Sequence, residues 1–252
     1  MKGIFISART NSTRLPKKAL IDIHDKPSIQ YLIDNLKKSK QTDDVVLCTT
    51  LGKEDDKLCD IAYKSGIKYY RGSTEDKLER WLGACKKYRV DFFVTADGDD
   101  LFCDYGLIDH VFKQHEESGC DFIDGRGLYN DVYGISRKGL ELVCDKKTNN
   151  DTEFIKLYFE NHKDILKIEK IKDAPPIYEK KDIRMTLDYE EDLTFFRTVI
   201  GHFIDSGKEM TFENILCFLQ VHKSIIDINW HREQSWKDNQ ARMIEEITKK
   251  GL

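Results

Sequence analysis

Apolar residues recur along this chain in two alternating rhythms. Short, mainly apolar runs at Ile4–Ile6, Val45–Cys48, Ile67–Tyr70 and Phe92–Thr95 have the length of buried β-strands. Between them the apolar positions follow i, i+3, i+4, i+7 spacing: Ile29, Leu32, Ile33 and Leu36, then Leu78, Trp81, Leu82 and Cys85. Leu107, Ile108, Val111 and Phe112 mark a further stripe. Such stripes predict helices with one face on a core. Strand and helix in alternation predict an α/β chain whose mostly parallel central sheet carries helices on both faces. The rhythm loosens after Asp121. Strands are expected at Val132–Ser136, Leu166–Ile171 and Ile183–Leu187, around a Pro175-Pro176 break. From Asp192 onward the stripes Leu193, Phe196, Ile200, Phe203, Ile204 and Phe212, Ile215, Leu216, Leu219 predict helices. No repeat, low-complexity tract or linker divides residues 1–252, which are expected to form a single domain with 121–185 its most variable part.

Composition narrows the function classes. Of 252 residues, 40% are hydrophobic and 34% charged, so a sizeable core can form under a charged surface. Lys and Arg number 41 against 45 Asp and Glu, a formal net charge of -4. That balance gives no sequence-wide basis for nucleic-acid or membrane binding. The seven cysteines, at 48, 59, 85, 103, 120, 144 and 217, show no C-x-x-C spacing. They read as reduced, buried thiols of a cytoplasmic protein. The apolar run Gly3–Ser7 is too short for a signal-peptide core, and no run approaches the roughly 18 apolar residues of a membrane span.

Open α/β sheets bind ligands beyond the carboxyl ends of their strands. The segments that follow the expected strands are therefore where chemistry should lie. After the first comes a loop with Arg9, Arg14, Lys17 and Lys18, four cations within ten residues, and the hydroxyls of Ser12 and Thr13. After the second come Thr49 and Thr50, and after the third Arg71-Gly72-Ser73. Asp97-Gly98-Asp99-Asp100 follows the fourth, and Asp188 follows the Ile183 run. A cationic loop between a buried strand and a helix can neutralise a polyphosphate, with arginine supplying two parallel donors; a merely solvated loop is the plainer alternative. Neither G-x-x-x-x-G-K-[ST] nor G-x-G-x-x-G is present. Crowded carboxylates beside phosphate oxygens suit Mg²⁺, although Asp residues also cap helices and build turns. The seven histidines show no zinc-protease spacing, and no serine sits on a G-x-S-x-G elbow. The stripe around Trp81 reads as core. The tail around Trp230, Trp236 and Ile244 reads as a packed amphipathic helix or a dimer contact.

These residues form a familiar pattern. Ala8-Arg9-x-x-Ser12-Thr13-Arg14-Leu15-Pro16-x-Lys18-x-Leu20 resembles the N-terminal signature of the cytidylyltransferases that activate acidic sugars. That family includes the enzymes making CMP-Kdo and CMP-sialic acid and the spore-coat polysaccharide relatives. Gly98-Asp99 stands where the family has its G-D turn, and Asp188-Tyr189-Glu190-Glu191-Asp192-Leu193 resembles its D-x-P-E-D-L element. Arg71-Gly72-Ser73 with Asp76 and Arg80 resembles the spore-coat branch. The resemblance runs over roughly residues 3–115 and 183–200. It implies a Rossmann-like nucleotidyltransferase fold of the nucleotide-diphospho-sugar transferase type, CTP as donor, Mg²⁺ as cofactor and release of pyrophosphate. By position it makes Arg9, Arg14 and Lys18 catalytic, and Asp99 and Asp188 metal ligands. Nucleotide contacts would come from Ala8, Arg9, Ser12, Thr13, Arg14, Lys18, Thr49, Arg71, Ser73 and Asp97. Asn11 and Lys17 replace glycines usual in the family, and Leu101-Phe102 follows the G-D turn where a proline is usual. Thr152-Glu153-Phe154-Ile155 stands where relatives carry R-E-H-V.

The reading that results is Mg²⁺-dependent transfer of CMP from CTP to a small anionic acceptor, in the service of surface polysaccharide or glycoconjugate synthesis. The acceptor would be an acidic sugar, a phosphonate or a phosphate ester. Arg126 and Arg184 are candidates to grip its anionic group, and 121–185 is the expected acceptor and dimerisation region of a homodimer. The partners expected are CTP and the acceptor, with no nucleic acid and no membrane. Two rivals stand beside it: a glycosyltransferase of related fold, with Asp97-x-Asp99 on a nucleotide-sugar's metal, and a non-catalytic nucleotide-binding protein.

Overall fold

A computed structural model describes residues 1–179 and 182–250, apart from the side chain of Lys250. The chain opens with β1 (Lys2–Ser7), a loop with a 3-10 turn at Lys18–Leu20, and a small hairpin of β2 (Asp22–Ile23) and β3 (Lys26–Pro27). Then follow α1 (Ser28–Leu36), β4 (Asp44–Thr50), α2 (Asp56–Lys64), β5 (Lys68–Gly72), α3 (Lys77–Tyr88), β6 (Phe92–Asp97) and α4 (Tyr105–Ser118). The next stretch holds β7 (Phe122–Asp124), β8 (Tyr133–Ser136), α5 (Arg137–Lys146), α6 (Ile155–Glu160) and β9 (Ile168–Lys170). Four helices complete the chain: α7 (Glu190–Ser206), α8 (Phe212–Val221), α9 (Lys223–Trp230) and α10 (Arg232–Lys250).

Seven strands form the main sheet in the order β5-β4-β1-β6-β8-β7-β9. Only β8 runs against the others, pairing antiparallel with both β6 and β7. The side-chain alternation of β1 separates two cores. Ile4 and Ile6 face α1, α2, α4, α7 and α8, whereas Phe5 faces α3, α5 and α6. Phe5 stacks on Phe93 with ring centroids 4.3 Å apart, and Trp81 of α3 meets Phe93 edge-on at 5.5 Å. In register, Ser7 at the end of β1 lies opposite Cys48 of β4 and Asp97 of β6. The loops that leave β1 and β6 therefore emerge side by side.

Local chemistry sets the helix ends. The Asp76 carboxylate accepts the Glu79 N–H at 3.0 Å and starts α3, as an N-cap should. Gly119 stops α4 at a φ of 64°, a left-handed cap that costs glycine no side-chain clash. Where the sequence pattern and the structure differ, pairing or length is the reason. Ile183–Leu187 has no regular secondary structure and joins no sheet; its last residue donates one backbone bond, Leu187 N–H to Asp99 O at 2.9 Å. β7 has three residues, too few for a period to show. All seven cysteines are free thiols, but only five are buried: Cys144 is half-buried and Cys217 exposed. Among the described residues, no helix is long and apolar enough to cross a membrane.

His115 in α4 stacks on Phe92 with ring centroids 3.6 Å apart, and its Nδ1 lies 3.0 Å from the Cys120 carbonyl oxygen. Burial lowers its pKa from the usual 6.5, outweighing that bond and the nearby carboxylates. The unfolded chain therefore binds a proton at this site at a higher pH than the folded one. The linked contribution is present at neutral pH and is lost as pH falls through about 6.5, with a slope of at most about 1.4 kcal/mol per pH unit. Urea unfolding between pH 7.5 and 5.5 should show this decline, and His115→Gln should flatten it. An equally steep decline in the variant would assign the pH dependence to other groups.

Candidate active site

The loop from β1 to α1 is pinned before it reaches the cleft. Buried Asp55 accepts from Thr10 N–H at 2.8 Å and Thr10 Oγ1 at 2.7 Å. It also accepts from the hydroxyls of Thr49 at 2.8 Å and Thr50 at 2.5 Å. Burial pushes its carboxyl up, but bonds from Thr50, Thr10 and Thr49 together hold it below its ordinary value. Leu15 and Ala19 sink into the core. Between them Lys17 adopts a left-handed φ of 57°, a conformation natural to glycine and strained for lysine. The 3-10 turn that follows carries the Lys18 ammonium inward.

There Lys18 Nζ sits 2.5 Å from Asp99 Oδ2 and 2.7 Å from Asp188 Oδ1. Arg14 Nη2 donates to the same Asp188 oxygen at 2.7 Å. Two carboxylates, from the turn after β6 and the approach to α7, thus converge on one ammonium in a cleft of about 520 Å³. Gly98 allows the close approach: a Cβ there would stand 2.8 Å from Ala8 Cβ and 3.0 Å from Ser7 O. Burial lowers the Lys18 pKa, but Asp99 and Asp188 more than reverse it and drive it well above the ordinary lysine value. For Asp188, burial pushes upward, yet Lys18 and Arg14 hold the carboxyl below its usual range. Asp99 is raised by burial against the pull of Lys18, and Asp100 still more by burial beside Asp99 and Asp97. Burial thus favours the neutral form of both carboxyls.

Asp188 is itself held from behind. Its backbone N–H and that of Tyr189 each donate to Asp192 Oδ2 at 2.9 Å at the start of α7. Arg184 Nε reaches Asp192 Oδ1 at 2.8 Å, its Nη2 lies 3.5 Å from Asp188 Oδ2, and its Nη1 lies 3.4 Å from Glu233 of α10. The Arg184 side chain is 1% exposed. That geometry corrects the expectation that Arg184 grips an acceptor: the guanidinium is spent on three internal carboxylates and positions Asp188 instead.

Other expected residues divide cleanly. Ala8, Arg9, Ser12, Thr13, Asp97 and Arg126 line the cleft along with the cluster just described. Thr49, Arg71 and Ser73 do not. Thr49 is bound to Asp55, Ser73 Oγ accepts the Asp76 N–H, and Arg71 donates to the carbonyls of Thr50 and Gly52 and to Asp56. They brace the loops rather than face the opening. Arg126 Nε lies 3.5 Å from Asp124 with the side chain 41% exposed. Two contributors are absent from the motif. Lys77, at the first position of α3, places Nζ 2.8 Å from Asp97; its place after a capping aspartate was the available signal. The tail expected as a packed helix or dimer contact runs from the end of α9 at Trp230 through α10, and α10 lines the cleft with Trp236, Gln240 and Met243 while burying Ile247. Only docking reveals which surface such a stripe covers.

Similarity to known proteins agrees with this geometry. A sequence model of the family described as cytidylyltransferase matches residues 4–225. The chain is 29% identical over 240 residues to the uncharacterized protein MJ1063 of Methanocaldococcus jannaschii, covering 92% of this chain and 96% of the relative. It is 27% identical to the spore coat polysaccharide biosynthesis protein SpsF of Bacillus subtilis, over 74% and 81% of the two chains. Among solved structures, a cytidylyltransferase of Leptospira borgpetersenii superposes with a TM-score of 0.79 at 26% identity, covering 89% of this chain and 96% of that one. A CMP:2-keto-3-deoxy-manno-octonic acid synthetase solved with CTP shares the fold, with a TM-score of 0.64 at 16% identity over 80% and 98% of the chains. The seven-stranded, mostly parallel sheet is thus the Rossmann-like nucleotidyltransferase fold, and this chain belongs to the cytidylyltransferase family of nucleotidyltransferases.

Proposed function

We propose that the cleft transfers CMP from CTP to a small anionic acceptor, an acidic sugar, phosphonate or phosphate ester, with release of pyrophosphate. The observation that carries this reading is the convergence of Asp99 and Asp188 on Lys18 beside Arg14. Phosphoryl-type transfer asks a protein mainly for positioning and charge neutralisation. A site of fixed cations and carboxylates supplies both. The acceptor oxygen would form its bond to the α-phosphorus as the bond to the bridging oxygen breaks and pyrophosphate leaves. SpsF suggests surface polysaccharide synthesis as the setting. A glycosyltransferase reading accounts for the Asp97-x-Asp99 pair but not for the cations of the first loop, because a nucleotide-sugar's diphosphate carries less charge than a triphosphate.

The donor set fits Mg²⁺. Two carboxylates meet at a single point and both offer hard oxygens. Asp99 and Asp188 would hold the ion, which supplies charge neutralisation to the triphosphate when bound. Arg14 and Lys18 would then turn from the carboxylates toward phosphate oxygens. Arg184 and Asp192 keep Asp188 in place throughout.

A pyrophosphate-release screen of CTP against acidic sugars, phosphonates and phosphate esters tests the reading, and release with a nucleotide-sugar donor alone would favour the glycosyltransferase. Asp99→Asn should lower turnover on the order of 100-fold with the melting temperature little changed; turnover near wild type at saturating Mg²⁺ removes Asp99 from the metal site. Arg14→Lys should be severely impaired because a point charge replaces a planar fork. Lys17→Ala, at an exposed position, should stay within about threefold of wild type. The reverse ranking in a CTP titration would mean that the loop engages substrate by another face. Arg184→Met leaves Asp192, Asp188 and Glu233 without their buried cation and should cost about 3–5 kcal/mol of stability in urea unfolding. A loss below about 1 kcal/mol would show that the three carboxylates rehydrate freely.

A further inference from the structure

α10 borders the cleft between two anchors. Near its start Glu233 accepts from Arg184 Nη1 at 3.4 Å, and near its end Ile247 is buried. Between these anchors the residues that are not exposed are Trp236, Asn239, Gln240, Met243 and Ile244, and all of them line the cleft that holds Asp99 and Asp188. Spacings of three and four residues put them on one face of the helix. Lys237, Asp238, Arg242, Glu245 and Glu246 are exposed. Beyond Glu233, which is taken up by Arg184 and Lys237, the cleft face carries no charge. From Trp236 to Ile244 it presents about 12 Å of amide, aromatic and aliphatic surface. Asn239 Nδ2 lies 3.3 Å from Met243 Sδ and ties two of these side chains together.

We propose that this face selects the acceptor, with Trp236, Asn239, Gln240 and Met243 holding the neutral body of a sugar-sized molecule whose anionic group is left for Arg126. The assignment rests on the CTP reading above and chooses among its acceptors. Two observations carry it. An uncharged wall can neither neutralise a triphosphate nor hold a metal ion, so it serves an uncharged part of a substrate. The match to the cytidylyltransferase family spans residues 4–225, whereas α10 begins at Arg232. Transfer of a cytidylyl group is what that family has in common, so the donor contacts belong within the matched residues. An element outside them is free to serve the other substrate. Side-chain amides donate to and accept from hydroxyl and acylamino groups, while Trp236 and Met243 cover C–H surface. A short phosphonate or glycerol phosphate has no body long enough to use such a wall.

Steady-state pyrophosphate release by the full-length protein provides the test, with Kdo and N-acetylneuraminate as sugar acceptors and aminoethylphosphonate and glycerol phosphate as short ones. A sugar acid should be turned over in preference to both short acceptors. Gln240→Leu should raise the KM for that sugar about fivefold, the loss expected for one hydrogen bond. Met243→Ala should raise it to a smaller extent. Calorimetry should show both variants binding CTP as tightly as the wild type. Thermal melts establish that each variant is folded, and Met243→Ala decides the matter if Gln240→Leu is not. An unchanged sugar KM in folded variants overturns the assignment. So does a kcat/KM for a short acceptor equal to that for the sugars, or CTP binding without turnover of either sugar. Weaker CTP binding in a folded variant overturns it as well, by placing α10 on the donor. If wild-type protein binds no CTP, the reading of the cleft falls first and this one with it.

Discussion

Two carboxylates that share one ammonium are the constraint on which this cleft depends. Asp188 is almost fully buried and stands with Asp99 around Lys18. Like charges so placed disfavour ionisation unless cations surround them. Lys18 and Arg14 provide that balance in front, and Arg184 provides it behind. The remaining architecture can be read as what is needed to bring those groups together from positions 14, 18, 99, 184 and 188. Removing one partner from such a set leaves an uncompensated charge in a dry place, which is why the loops that carry them are so firmly tied.

The ties use backbone and hydroxyl groups more than apolar surface. Asp55 gathers Thr10, Thr49 and Thr50, locking the first loop to the end of β4. Asp192 gathers two backbone N–H groups ahead of α7 and fixes the direction in which Asp188 points. On the other face, Asp76 caps α3, accepts from Thr152 Oγ1 at 3.1 Å and pairs with Lys147 at 2.5 Å. Each hub is a buried carboxylate whose oxygens are shared between segments distant in sequence.

The fold also explains why the cleft is built from both layers. The parallel strands β1 and β6 end in register, and their loops leave toward the same edge. Lys18 follows β1 on one face of the sheet, whereas Lys77 begins a helix on the other. The antiparallel β8 extends the sheet beyond β6 and brings Arg126 and Tyr133, from its approach and its first residue, to the same opening. α10 then closes the side near Arg184 through Glu233.

Much of this was legible in the chain itself. Buried strands show as apolar runs because parallel strands are covered on both faces, and the helices of the first half show as stripes because only one face meets the core. The same logic placed the cationic loop and the Asp97–Asp100 turn at strand ends, and all of Arg9, Arg14, Lys18, Asp97, Asp99 and Asp188 line the cleft. What sequence determines is thus local periodicity and the order of loops along one edge. It does not determine which way a side chain turns once it arrives there. Arg71 and Arg184 sit at strand or segment ends as Arg14 does, yet one binds carbonyls of its neighbouring loop and the other is buried among carboxylates. Ile183–Leu187 has the composition of a strand but no sheet edge to join, and the stripe of α10 gave no sign that it would wall the cleft. Partners in these cases lie up to 174 residues away, as Arg14 and Asp188 do. Ion pairing and docking depend on distance in space, and tertiary structure alone decides that.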